Sequence, residues 1–84
     1  MNNTVLRKVV VTAAYQSLVP QQLIASVDIS APPSNAGPVF FKGDDGADVP
    51  FLAGEWHFFE QIDLSALQVK GLPGDVVTLV GNSR

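Results

Sequence analysis

Eighty-four residues, 46% of them apolar and 15% charged, make one domain that is too apolar to stay disordered and too short to bury two cores. Eight acids against five bases leave a formal net charge of −3, and Arg7, Lys8, Lys42, Lys70 and Arg84 are scattered along the chain, which argues against a nucleic-acid partner that needs a clustered basic face. The absence of cysteine excludes disulfides and thiolate metal sites, and a lone His57 cannot assemble an imidazole-based zinc site.

A domain of this length hides only roughly 60–65% of the surface its unfolded chain exposes, so association is the remaining common source of stability. Met1-Asn2-Asn3-Thr4 lacks a basic n-region followed by an apolar h-region, and no run approaches the roughly 18 apolar residues of a membrane span. A protein kept in a cytoplasm-like compartment, without membrane contact, is expected. Residues 1–84 form a single β-domain in this reading, with 1–4 a flexible N-terminal arm.

In chain order, residues 4–14 carry Val5, Leu6, Val9, Val10, Val11 and Thr12, a β-branched run that predicts a strand buried on much of both faces. Pro20 ends it, since proline cannot donate to a ladder. From Leu23 the chain alternates, with Leu23, Ala25, Val27 and Ile29 on one face and Ile24, Ser26, Asp28 and Ser30 on the other. Residues 31–38, rich in proline and turn formers, predict a loop across the module. Val39-Phe40-Phe41-Lys42 reads as a short strand and 43–48 as a polar loop. Pro50 to Glu55 turns the chain into the aromatic strand 56–62, with Trp56, Phe58 and Ile62 on one face and His57, Phe59 and Gln61 on the other.

Asp63 is placed to bond amides ahead of it and set one helical turn over Leu64-Ser65-Ala66. Leu67 and Val69 then alternate with Gln68 and Lys70, Leu72-Pro73-Gly74-Asp75 makes a turn of the proline-then-glycine kind, and residues 76–80 close the sheet as the second arm of a hairpin. Gly43, Gly46, Gly54, Gly71, Gly74 and Gly81 fall at predicted strand ends or turns. Five to seven short strands with no helical window predict an all-β fold, a small antiparallel β-sandwich or partly open, jelly-roll-like barrel.

No pattern of catalytic groups emerges. His57 would need an activated Ser or Thr and an orienting carboxylate; Glu60, three residues away, points to the opposite face, and Ser65 lacks the Gly-x-Ser-x-Gly context. Asp44, Asp45, Asp48 and Glu55 imitate the EF-hand count, but Val49 stands where its glycine is required and Pro50 stiffens the middle, so a solvated turn is expected. Neither catalytic, cofactor nor metal residues are assigned. Trp56, Tyr15 and Phe58 suggest core or subunit interface ahead of a sugar-stacking platform. With the β-branched first strand and aromatic Phe59 added, the predicted interface residues are Val9, Val11, Tyr15, Trp56, Phe58 and Phe59.

The ordered elements Asp48-Val49-Pro50, Ala53-Gly54-Glu55, Asp63-Leu64-Ser65, Leu67-Gln68-Val69-Lys70-Gly71 and Gly74-Asp75-Val76 span about half the chain, residues 39–80. In this order they resemble a cassette of small all-β virion proteins of tailed bacteriophages, above all head decoration (cement) proteins. The resemblance implies a non-enzymatic structural protein that stabilises a capsid lattice. Its partners would be the major capsid protein or other virion subunits, and it would be a homo-oligomer with a trimer as the expected form. It would reside in the virion and assemble in the host cytoplasm. The alternative expectation is a receptor- or carbohydrate-binding β-module of a tail fibre, spike or head-tail assembly.

Overall fold

A computed structural model describes residues 3–83. Its strands are β1 (Asn3–Val10), β2 (Gln16–Ser17), β3 (Ile24–Ser30), β4 (Val39–Lys42), β5 (Asp48–Phe51), β6 (Trp56–Asp63), β7 (Gln68–Lys70) and β8 (Val76–Ser83), with a 3-10 turn at Leu64–Ala66. They form two four-stranded antiparallel sheets, β1-β8-β3-β6 and β2-β7-β4-β5, hereafter the first and second sheet. β1 pairs β8, β2 pairs β7, β3 pairs β6 and β4 pairs β5. The chain is therefore one long hairpin, with its tip at 43–47, rolled so that successive strand pairs fall into opposite sheets. This is the jelly-roll order.

The predicted antiparallel sandwich is what forms, but it has eight strands rather than five to seven. Two of the eight carry weak sequence signals: β2 is only two residues long, and β5 contains Pro50. β5 tolerates proline because it is an edge strand, where a missing N–H need not break a ladder. Leu72-Pro73-Gly74-Asp75 does form its turn, with Asp75 N–H donating to Leu72 O at 3.0 Å and Gly74 at a φ of 96°. It does not join a hairpin, however. β7 lies in the second sheet and β8 in the first, so this turn carries the chain across the sandwich.

The centre is filled from both layers. Val5, Ala25, Val27, Ile29, Val77 and Leu79 of the first sheet meet Val39, Phe41, Phe51 and Val69 of the second, with Val11, Leu18, Val19, Ala31 and Leu64 closing the ends. Two buried polar side chains fasten the proline-rich loop 31–38 over one end. Asn35 exchanges hydrogen bonds with the backbone of Val76, at 2.8 and 2.9 Å, as a neighbouring strand would. The Asp75 carboxylate accepts from the N–H groups of Ala36 and Gly37 at 3.0 and 3.1 Å. Asp63 likewise accepts from Ser65 N–H at 3.0 Å and Ser65 Oγ–H at 2.7 Å, which sets the predicted helical turn.

Several local expectations are corrected. β1 is not buried on both faces: it is an edge strand, and only its Val5 side turns to the core. Asn3 and Thr4 are no flexible arm, because they pair with Ser83 and Asn82; Met1 and Asn2 lie outside the described residues. Gly81 sits inside β8, not at a turn, and an added Cβ there would lie 1.9 Å from the carbonyl oxygen of Ser26. On the other side of β3 a β-bulge sets Glu60 and Gln61 of β6 together against Ser26, with Gln61 at a φ of 49° and its N–H donating to Ser26 Oγ at 3.0 Å. The extra residue reverses the alternation. Ile62 therefore shares the core side with Phe59 and His57 and is separated from Trp56 and Phe58. Among the described residues no helix is long and apolar enough to cross a membrane.

Candidate functional site

Cross-strand register on the first sheet lines up its outward side chains in rows. One row runs Leu6, Val80, Asp28, Phe58 across all four strands. The next runs Lys8, Thr78, Ser30, Trp56, with Ser30 Oγ and Thr78 Oγ1 2.5 Å apart. A third runs Thr4, Asn82, Ser26 and the Glu60–Gln61 bulge.

Leu6 is 67% exposed, Trp56 62%, Phe58 59% and Val80 49%, and Val10 and Ile24 extend the same face. Alternation places these residues away from a core that is already full, so the face is apolar without burying anything. At the bulge it opens into a cleft of about 420 Å³ lined by Ile24, Ser26, Glu60, Gln61 and Asn82. Apolar rows beside a polar cleft suit contact with another surface, with the polar end fixing orientation.

Of the predicted interface residues, only Trp56 and Phe58 lie on this face. Val11 is 1% exposed and belongs to the core, so it cannot contact a partner; it follows β1, where the chain leaves the edge and dives between the sheets. Val9 and Phe59 point inward, half-buried against the same core. Tyr15 is on the far side of the sandwich. There its hydroxyl donates to Asp48 Oδ1 at 2.5 Å, while Lys70 Nζ lies 3.3 Å from Asp48 Oδ2 and 4.7 Å from the centre of the Tyr15 ring. Burial, and then the Asp48 bond and charge, pushes the Tyr15 phenol up to about 12. The bond from Tyr15, helped by Lys70, holds the Asp48 carboxyl below its usual range.

Leu6, Val80 and Asp28 were not singled out from sequence. The signal was present in the alternation of Thr4, Leu6, Lys8, Val10 and of Val76, Thr78, Val80, Asn82, but apolar residues on both sides of β1 and β8 masked it.

The remaining polar candidates hold turns. His57 Nε2 lies 2.6 Å from Glu55 Oε2, its ring packs edge-on against Phe51 at 4.8 Å, and Glu55 Oε1 accepts from Leu52 N–H at 2.9 Å. The His57 bond holds the Glu55 carboxyl below its usual range. Asp45 accepts from Ala47 N–H at 3.0 Å in the β4–β5 tip, and Asp48 is engaged by Tyr15 and Lys70, so these acids do not converge. Comparison with family models, with curated proteins and with solved structures returns no match for this chain.

Proposed function

We propose that this protein is a non-enzymatic adhesion module that docks through the outward face of its first sheet, and that the surface it docks on is a phage capsid lattice, which it decorates and stabilises as an oligomer. The observation that carries the docking part is the pair of adjacent rows holding Leu6, Val80, Phe58 and Trp56 in the open. Burying apolar area contributes on the order of 25 cal/mol per Å² before ordering costs, so a face of this kind gains by being covered. The virion assignment rests on the ordered sequence elements of residues 39–80. A jelly roll is compatible with it but serves many unrelated functions.

The test is co-sedimentation with capsids lacking decoration, comparing wild type with Val80→Lys. The substitution removes the apolar centre of the row while facing Asp28, so the fold is retained. Wild type is expected to co-sediment at a copy number scaling with capsid subunits, and Val80→Lys to stay in the supernatant. Equal binding by both would refute docking through this face.

A receptor- or carbohydrate-binding module is favoured by one observation, the cleft of Ser26, Glu60, Gln61 and Asn82 beside Phe58, whose carboxylate and amides match sugar hydroxyls. A glycan array showing binding lost in Gln61→Ala, with few copies per particle, would select it.

A further inference from the structure

Four strand edges are exposed in a two-sheet sandwich, and an unpaired edge is a template for another strand unless something blunts it. In the second sheet β5 carries Pro50 and β2 is two residues long. In the first sheet β6 carries the Glu60–Gln61 bulge, which leaves only residues 56–59 regular. β1 alone is long, regular and free of proline, its eight residues packed laterally on β8; only at its end does Gln16 Nε2 donate to the Val10 carbonyl, at 3.0 Å.

The two edges of the first sheet are also complementary. β1 holds Arg7 and Lys8 and no acid, whereas residues 55–63 hold Glu55, Glu60 and Asp63 and neither lysine nor arginine. Leu6 and Phe58, the two ends of one row, are its most exposed apolar members because each lacks a lateral neighbour.

We infer that the β1 edge of one copy pairs with the β6 edge of a second copy, extending the first sheet head to tail from subunit to subunit. Successive antiparallel neighbours in the order β1-β8-β3-β6 make β1 and β6 run in opposite directions, so a second copy in the same orientation presents β6 antiparallel to β1. Continuing the rows places Leu6 beside the second copy's Phe58, Lys8 over its Trp56 as a cation–π pair, and Arg7 beside its Glu55–His57 pair. The bulge ends the pairing at Val5. A β1-to-β1 pair would instead gather four cations along one seam and leave Trp56 and Phe58 uncovered. A contact between two different edges cannot close on a pair of copies; it closes on three or more, or runs on as a filament.

This inference deepens the oligomer part of the proposed function, and its test uses purified protein without capsids, so either can fail alone. The natural chain has no cysteine, which makes disulfide mapping clean. Leu6→Cys, Phe58→Cys and the double variant are oxidised under dilute conditions, each at an exposed position where the fold tolerates the change. The double variant is expected to give a covalent ladder or closed ring, a mixture of the two single variants a cross-linked pair, and each single variant alone almost no product. Strong cross-linking of Leu6→Cys alone would overturn the inference in favour of β1-to-β1 pairing. A double variant that stays uncross-linked, or wild type that sediments as a monomer at high concentration, would overturn it outright.

Discussion

Gly81 and Tyr15 show how single residues set the limits of this fold. At Gly81 the backbone of Ser26 comes so close that a Cβ would lie 1.9 Å from its carbonyl oxygen, and no flexible side chain is there to move aside. Gly81→Ala must push β8 away from β3, at a cost of roughly 3 kcal/mol. Chemical denaturation should show that loss, and a melting temperature equal to wild type would contradict the packing described here. Tyr15, the one tyrosine, reports on the opposite side of the sandwich. Its pKa is raised from 10.0 to about 12, so the neutral phenol is favoured in the folded state; the stabilisation is complete below the unfolded value and is lost as pH rises towards the folded one. Tyrosinate absorbance should therefore titrate near 12 in the wild type, and Asp48→Asn should bring the midpoint back towards 10.0.

β6 is the element in which the two sides of the sandwich are most sharply divided. Phe58 faces outward opposite Asp28, whereas its neighbour Phe59 pairs with Val27 and packs against the core. Phe58→Lys gains an opposite charge in Asp28 and should fold normally but associate weakly. Phe59→Lys drives a charge towards apolar side chains and should cost roughly 3 kcal/mol or more. Thermal denaturation read alongside sedimentation separates the two effects; equal stability in both variants would contradict this assignment of the strand's faces. Beyond Phe59 the bulge changes the phase, which is why period-two reading placed Ile62 with Trp56. A bulge adds one residue without altering composition, so the alternation by itself gives no warning of it.

At the scale of the molecule, much of the architecture was legible because its strands are short and its turns chemically distinct. The alternation of β3, the Asp63 turn and the proline–glycine turn at 72–75 follow from local chemistry and appear where expected. What local chemistry does not carry is which sheet a strand joins. A turn closed from Leu72 to Asp75 with Gly74 at positive φ does not name the sheet the next strand joins, and the crossing is decided by the eight-strand roll as a whole. The outward face was half legible: Trp56 and Phe58 stand out as aromatics, but Leu6 and Val80 hide among other aliphatics until register aligns them. The burial of Val11 is hidden for the same reason, since a buried valine and an exposed one look alike in sequence.

Trp56 supplies the direct test of that face, being the only tryptophan and lying in its second row. Its emission and its quenching by acrylamide should be followed as the protein associates, with association monitored independently by light scattering. A blue shift with protection from quenching, in step with scattering, is the predicted result; association that leaves Trp56 as exposed as in the dilute protein would contradict self-association through the first sheet.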